Sequence, residues 1–198
     1  MRCVKCINEN ETERRLCIVM KNMNNAEKNS YVRKHITSTL IGLMKKQNLT
    51  EISVRDLCSK AGVGRASFYR NYVTKDDVLI AYITAEWRKY EKAHDLKKHR
   101  INDVYRVQRY FEFCLSMREL NDILLRQEQT APILKAYETI LSDLDQGAPR
   151  ESFESFYMAY GLFGIFSKWA KGGYSETPAE MTKIVTDRIL KDYRIDSL

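Results

Sequence analysis

The chain has 198 residues, of which 44% are hydrophobic and 30% charged, with a formal net charge of +7 at pH 7. No apolar run approaches the roughly 20 residues that span a bilayer, and the N-terminus lacks the continuous apolar stretch of a secretion signal. We therefore expect a soluble cytoplasmic protein with no membrane segment. Glycine (8) and proline (3) are scarce, which favours helices over a turn-rich β architecture.

Positive charge is concentrated between residues 26 and 80, which hold ten basic and five acidic side chains. Such an excess favours anionic partners, above all nucleic acid. Residues 1–25 are polar without sustained periodicity and are expected to form a flexible leader. Cys3 and Cys6 have the spacing of a metal pair, but a zinc site needs four ligands and the nearby chain adds only Cys17. We expect no bound metal, and reduced thiols.

Three helices are predicted first along the chain. The first covers about 26–46 and has apolar residues at spacings of four, four and three, namely Val32, Ile36, Leu40 and Leu43. A short second helix begins at the N-cap Ser53 and ends at Gly62, and a third covers about 65–71. Helical patterns follow from the Thr74 cap onward, over about 104–117, 131–144, 151–171 and 178–193.

The second and third helices predict a helix-turn-helix. Ala61 is the small residue where two helices cross, Gly62 allows a left-handed turn, and Val63 and Phe68 are the apolar anchors. The exposed face of the third helix would show hydrogen-bond donors suited to phosphates and base edges, namely Arg65, Ser67, Tyr69 and Arg70. We predict that this element binds duplex DNA.

The stretch ISVRDLCSKAGVGRASFYRNYVTKDDVL, residues 52–79, resembles the N-terminal pattern of the TetR family of regulators. The matching positions are Ser53, Val54, Leu57, Ala61, Gly62, Val63, Ser67, Tyr69, Tyr72 and Lys75. The sequence departs from the family at Cys58, Gly64, Ala66 and Asn71. The resemblance implies an all-α fold with a helix-turn-helix DNA-binding domain at 26–73 and a helical ligand-binding and dimerisation domain at 74–198.

The resemblance also implies a role for each position of the DNA-binding set. Ser53, Tyr69, Tyr72 and Lys75 would hold phosphates. Arg65, Ala66 and Arg70 would face the groove, where an arginine prefers guanine, and Gly64 and Ser67 complete the set. The alternative interpretation is that the two tyrosines are partly core and the two arginines merely solvated.

For the body, the resemblance implies an effector pocket and a dimer interface. The candidate pocket residues are Trp87, Tyr90, Tyr105, Tyr110, Phe113, Met117, Tyr137, Tyr157 and Tyr160, although aromatics at helical spacing more often form core. The candidate interface residues are Tyr160, Gly161, Gly164, Phe166, Trp169, Ile184 and Ile189. A dimer also follows from DNA geometry, since two half-sites about 34–36 Å apart, or further along, give useful specificity on a near-palindromic operator.

Two functions stay open at this point. The first is a repressor released by a small-molecule effector. The segment from Gly161 to Trp169, followed by GGYSETPAEM, is similar to relatives of the dihydroxyacetone-kinase regulators, some of which act as coactivators through a protein partner. The alternative is therefore a coactivator or protein-interaction module with weak or no sequence-specific DNA binding. An enzyme is not expected, because the chain lacks a phosphate-binding glycine loop, a metal-ligand cluster and an activated nucleophile, and no cofactor is predicted.

Overall fold

The computed structural model describes residues 24–99, 103–142 and 149–189, without the side chains of residues 149–152, 154, 155, 188 and 189. All regular elements in this part of the chain are helical, which confirms the predicted all-α class. The α-helices are α1 (Asn25–Met44), α2 (Val54–Ala61), α3 (Arg65–Tyr69), α4 (Lys75–Ala93), α5 (Val104–Ser116), α6 (Arg118–Arg126), α7 (Ala131–Ser142), α8 (Pro149–Lys171) and α9 (Pro178–Ile184). Short 3₁₀ turns occupy Leu49–Glu51 and Leu96–Lys98, and a π turn, Val185–Ile189, follows α9.

Helix α1 carries the predicted apolar stripe on its buried face, and all four predicted residues of that stripe are buried. Asn24 caps its first turn in a reciprocal pair with Glu27. The helix ends two residues before the predicted end, because the amides of Lys46 and Gln47 both turn onto the carbonyl oxygen of Leu43, at 2.9 and 3.1 Å. The tightened turn directs the chain toward α2.

Helices α2 and α3 form the predicted helix-turn-helix. The Ser53 hydroxyl accepts the amide of Asp56 at 3.0 Å and caps α2, and Gly62 ends that helix with φ of 66°, in the left-handed region. Phe68 of α3 is fully buried. Helix α3 is shorter than predicted, because the amides of Asn71 and Tyr72 both bond the Phe68 carbonyl oxygen.

Two glycines offer a matched test of this turn. A Cβ added at Gly62 or at Gly42 would meet no atom within 4 Å, so only the backbone distinguishes the sites. We expect Gly62→Ala to lower the free energy of unfolding by about 1–2 kcal/mol, because an L-residue is strained at positive φ. Gly42→Ala, in the middle of α1, should raise it by about 0.5–1 kcal/mol. Denaturant unfolding measures both changes, and equal effects of the two substitutions would contradict the assigned turn.

The body is built on α4, which begins at the Thr74 cap, packs against α1 and runs on against α7. Helix α7 packs against α8, α5 against α9, and α6 against both α5 and α8. The core of the body includes the fully buried Phe111, Leu124 and Phe166. The predicted start of the second domain at residue 74 coincides with this cap. Helix α4 nevertheless packs against both α1, in the N-terminal part, and α7, in the body.

A buried ion pair holds the connection between α4 and α5. Arg106 Nη2 lies 3.0 Å from Glu91 Oε1, and both side chains are less than a tenth exposed. The other guanidinium nitrogen donates to the carbonyl oxygens of Leu96, at 2.7 Å, and His99, at 3.2 Å. One arginine therefore ties the start of α5 to α4 and to the 3₁₀ turn between them.

None of the helices in the described ranges is both long and apolar enough to cross a membrane. Those ranges also hold no group of three His, Cys, Asp or Glu side chains that could bind a metal ion. Cys58 and Cys114 are buried free thiols. Most of the predicted leader, including Cys3, Cys6 and Cys17, lies outside the described residues.

Candidate nucleic-acid interface

The exposed face of α3 consists of Arg65, Ala66, Tyr69 and Arg70. Tyr69 is 59% exposed, whereas its neighbour Phe68 is fully buried. Arg70 Nη2 donates to the Ser67 hydroxyl at 2.8 Å, one turn back on the same helix. The structure thus brings two guanidinium groups, a phenol and a hydroxyl together on one outward face, as the sequence predicted.

Two of the predicted phosphate contacts, Ser53 and Tyr72, differ in their solvent exposure. Ser53 is exposed at the start of α2, and its hydroxyl donates to Asp56 Oδ2 at 2.7 Å. Tyr72 is only 6% exposed, and its hydroxyl accepts a long hydrogen bond of 3.4 Å from Arg33 Nε of α1. The alternative interpretation, a partly core tyrosine, therefore describes Tyr72 but not Tyr69.

Lys75 is held inside the domain. Its Nζ donates to the carbonyl oxygens of Leu49 and Ile52, both at 2.5 Å. Burial lowers the pKa of the ammonium, and the negative charge of Asp76 opposes this shift. Two of its three N–H groups are used, so the predicted phosphate contact would need the third. Lys75 also fixes the loop that leads into α2.

Helix α1 adds polar residues to this surface that the sequence analysis did not select. Asn71 Nδ2 donates to the Ser67 carbonyl oxygen at 2.9 Å and to Asn29 Oδ1 at 3.2 Å. With the Arg33–Tyr72 contact, this bridge ties the N-terminal half of α1 to the end of α3. The available signal was the spacing of four between Asn29 and Arg33, which places both on one face of α1.

Residues 36–82 match the family model described as bacterial regulatory proteins, tetR family. Over this stretch, about a quarter of its length, the chain is similar to the TetR family. The match supports a TetR-like DNA-binding transcription regulator, and regulators of that family are generally not enzymes. The match begins in the middle of α1 and ends in α4, so it covers the helix-turn-helix together with parts of the flanking helices α1 and α4.

A TetR-family transcriptional regulator from Syntrophomonas wolfei str. Goettingen, known from its crystal structure, is similar with a TM-score of 0.46 and 18% sequence identity, over 80% of this chain and 93% of that chain. No curated protein matches this chain significantly.

The body of the protein contains a small apolar cavity of about 50 Å³. Its lining residues are Trp87, Arg106, Val107, Tyr110, Phe113, Tyr137, Ile140, Leu141 and Leu162. Of the nine predicted pocket residues, the structure therefore brings four together. Tyr90 packs on Trp87 and Phe113 without lining the cavity, and Met117 packs against the core elsewhere. Tyr105, Tyr157 and Tyr160 are exposed, because they project from the outer faces of α5 and α8.

A short row of polar groups lies next to this cavity. The Tyr110 hydroxyl is 3.1 Å from the Tyr137 hydroxyl and 3.0 Å from the Leu162 carbonyl oxygen. Cys114 Sγ is 3.5 Å from the Tyr137 hydroxyl. Burial raises the pKa of both tyrosines well above the usual range and that of the Cys114 thiol to about 12. All three groups therefore stay neutral at physiological pH and act as hydrogen-bonding groups.

The predicted dimer residues divide between the inside and the outside of the protomer. Phe166 and Trp169 lie in the protomer's own core, and Trp169 Nε1 donates to the Glu176 carbonyl oxygen at 2.9 Å. These two are corrected to core residues, because they point from α8 toward the rest of the body. Tyr160, Gly161, Gly164 and Ile184 are exposed, so their place in a dimer interface stays a prediction, and the side chain of Ile189 lies outside the described residues.

The exposed face of α8 extends further than the sequence analysis recognised. Phe153 is 80% exposed, Phe156 54% and Tyr157 56%. With Tyr160 they fall at spacings of three and four, so they lie on one side of α8. That spacing was readable in the sequence, but it also fits a helix that buries the same side in its own core.

Proposed function

We propose that this regulator binds a near-palindromic DNA operator as a homodimer and represses transcription until a small-molecule effector binds the body. The observation that carries the DNA-binding part is the outward face of α3. Its arginines and Tyr69 are exposed around a buried Phe68, so the helix is anchored on one side and free to enter a major groove on the other.

In this proposal Arg65, Ala66 and Arg70 face the bases. Ser67 orients Arg70 through their hydrogen bond, and Gly64 gives the backbone room to approach the DNA because no side chain projects there. Ser53 and Tyr69 contact phosphates from either side of the turn. Tyr72 and Lys75, whose polar atoms are bonded within the domain, serve mainly to position these groups.

Selection of bound duplexes from a random DNA library tests the proposal. We expect a palindromic consensus, together with a binding constant that falls steeply with salt as phosphate contacts release counterions. A weak, sequence-independent affinity would instead favour the coactivator or protein-interaction module as the function of the same fold.

The proposed dimer uses the exposed aromatic face of α8. The rings of Phe156 and Tyr160 pack against each other in a tilted arrangement with their centroids 4.6 Å apart, and the exposed Gly161 and Gly164 on the same helix would let a second α8 approach closely. Large exposed apolar patches are uncommon on monomers and mark interaction sites. No catalytic role or cofactor is proposed, and the regulator is placed in the cytoplasm, where DNA operators are accessible.

Charged substitutions on α8 test this interface. We expect the combined change Phe156→Glu and Tyr160→Glu to convert a dimer into a monomer at micromolar concentration, because it would place carboxylates in an apolar contact. The body should remain folded, since both side chains are exposed. Sedimentation equilibrium measures the change. Val104→Glu, at an exposed apolar residue of α5, is the matched control and should leave the dimer intact. A wild-type chain that sediments as a monomer would refute the interface.

The small size of the body cavity favours a second candidate function, that of a coactivator or protein-interaction module. Effector pockets commonly measure about 300–1,000 Å³, whereas the cavity beside Tyr110 and Tyr137 measures about 50 Å³. An effector would therefore have to enlarge it, and its apolar lining suits an apolar molecule. A body that never opens would instead act through a protein partner. The DNA selection separates these functions, because only the repressor requires sequence-specific DNA binding.

A further inference from the structure

Gln127, at the end of α6 in the body, makes three hydrogen bonds to the backbone of the DNA-binding domain. Its Oε1 accepts the amide of Leu49 at 2.9 Å. Its Nε2 donates to the carbonyl oxygens of Met44, at 2.9 Å, and Gln47, at 3.1 Å. About eighty residues of chain separate the partners along the sequence.

The partners of Gln127 are groups that helix ends leave unpaired. Met44 is the last residue of α1, and the final carbonyl oxygens of a helix have no amide within the helix to bond. Leu49 is the first residue of the following 3₁₀ turn, so its amide likewise lacks a helical partner. One side-chain amide therefore caps the end of one helix with its NH₂ group and the start of the next with its oxygen.

The segment that Gln127 caps leads directly to the predicted phosphate contact. Leu49 is almost fully buried, and Lys75 holds its carbonyl oxygen and that of Ile52. Ser53, the N-cap of α2, follows at once. The loop between α1 and α2 is thus fixed from two directions, by Gln127 of the body and by Lys75 at the start of α4.

In the described part of the chain, α4 and α6 are two separate supports by which the body touches the DNA-binding domain. The first is α4, which packs against both α1 and α7. A domain held by one helix alone could rotate about that helix. The second support is α6, through Gln127 and through an ion pair between Glu119 and Lys45 at 2.6 Å. That pair is well exposed, so it contributes little to stability. The hydrogen bonds of Gln127 are therefore the main contact by which α6 orients the DNA-binding domain.

We propose that Gln127 is a positioning residue that fixes the angle between the helix-turn-helix and the body, and so sets the half-site spacing that the dimer accepts. The proposal rests on the proposed operator-binding dimer, because spacing has a meaning only when two copies bind one duplex. Gln127 does not contact DNA. It acts through the loop before Ser53, and any change in the packing of α6 within the body would reach that loop through the same side chain.

The test compares the affinity of the full-length protein for a series of palindromic duplexes whose half-sites are moved apart in steps of one base pair. Wild-type protein should prefer one spacing. We expect Gln127→Ala to reduce the discrimination between spacings by about tenfold, on the scale of one to two lost hydrogen bonds, while binding to a single half-site changes little. Gln129→Ala, two residues further along, is the matched control and should behave as wild type.

Two further variants separate the hydrogen bonds from simple space filling. Gln127→Glu keeps the size of the side chain but places carboxylate oxygens against the carbonyl oxygens of Met44 and Gln47, so it should lose the spacing preference. Gln127→Lys keeps N–H donors for those oxygens and should recover most of it. Equal behaviour of these two variants would overturn the proposal.

Amide hydrogen exchange provides a readout that does not depend on DNA. In Gln127→Ala the Leu49 amide should exchange about tenfold faster or more, since it loses its acceptor. The Leu57 amide, bonded to the Ser53 carbonyl oxygen at 3.0 Å, should be unchanged. If wild-type protein selects no palindrome, the operator-binding function fails whatever the exchange shows. If wild type has a preferred spacing and Gln127→Ala keeps it, only the positioning role of Gln127 fails.

Discussion

Replacing both Arg65 and Arg70 by alanine should abolish sequence-specific DNA binding. Each arginine can pair with a guanine through two hydrogen bonds, and such a contact contributes about 1–3 kcal/mol of discrimination. Loss of both therefore predicts an operator affinity lower by about thirtyfold or more. The fold should survive, because both side chains are exposed on α3. Fluorescence anisotropy with the selected operator measures the change.

A control must remove the same charge elsewhere. The combined change Arg126→Ala and Lys171→Ala takes two positive charges from the exposed surface of the body. It should lower operator affinity only slightly, through the weaker long-range attraction of the duplex. If this control weakens binding as much as the change on α3, the contribution of Arg65 and Arg70 is general electrostatic attraction and not base recognition.

Removal of Glu91 should produce the largest loss of stability. Glu91→Ala leaves the Arg106 guanidinium buried without its counter-charge, and breaking a buried pair in this way costs about 3–5 kcal/mol. The carbonyl oxygens of Leu96 and His99 still accept from Arg106, but they do not neutralise it. Denaturant unfolding monitored by circular dichroism measures the loss. Glu91→Gln, which keeps an acceptor without the charge, should lie between Glu91→Ala and wild type.

The exposed pair on the same helix is the control for this experiment. Lys89 Nζ lies 2.6 Å from Glu86 Oε1, and the lysine side chain is 71% exposed. Water screens such pairs, so Lys89→Ala should change stability by less than about 1 kcal/mol. Losses of similar size in Glu91→Ala and Lys89→Ala would contradict the buried character of the Glu91–Arg106 pair.

The sequence predicted the helix-turn-helix well because local rules determine it. Ser53 caps α2, Gly62 adopts the left-handed conformation, and Phe68 anchors α3, and each of these follows from residue type and spacing over fewer than twenty residues. Helix ends were less accurate. Helix α3 stops at Tyr69 because two amides converge on one carbonyl oxygen, a detail of hydrogen bonding that apolar spacing does not encode.

In the body the sequence identified the aromatic residues but not which way they face. Tyr110 and Tyr137 line the cavity, whereas Tyr157 and Tyr160 lie on the outside, although all are tyrosines on helices. Which side of a helix is buried depends on neighbours distant in the chain. For the same reason the sequence did not reveal the Glu91–Arg106 ion pair. Nor did it reveal the contacts of Gln127, whose partners lie about eighty residues away.

The contacts of Gln127 bear on how this protein could be re-engineered. A chimera that joins residues 24–74 to the body of another protein keeps every residue of the helix-turn-helix, yet it leaves the Met44 carbonyl oxygen and the Leu49 amide to whatever the new body presents there. In a recipient without an amide side chain at that place, the loop between α1 and α2 of the DNA-binding domain would lose its caps and be less firmly held. The transplantable unit is therefore the DNA-binding domain together with the last turn of α6.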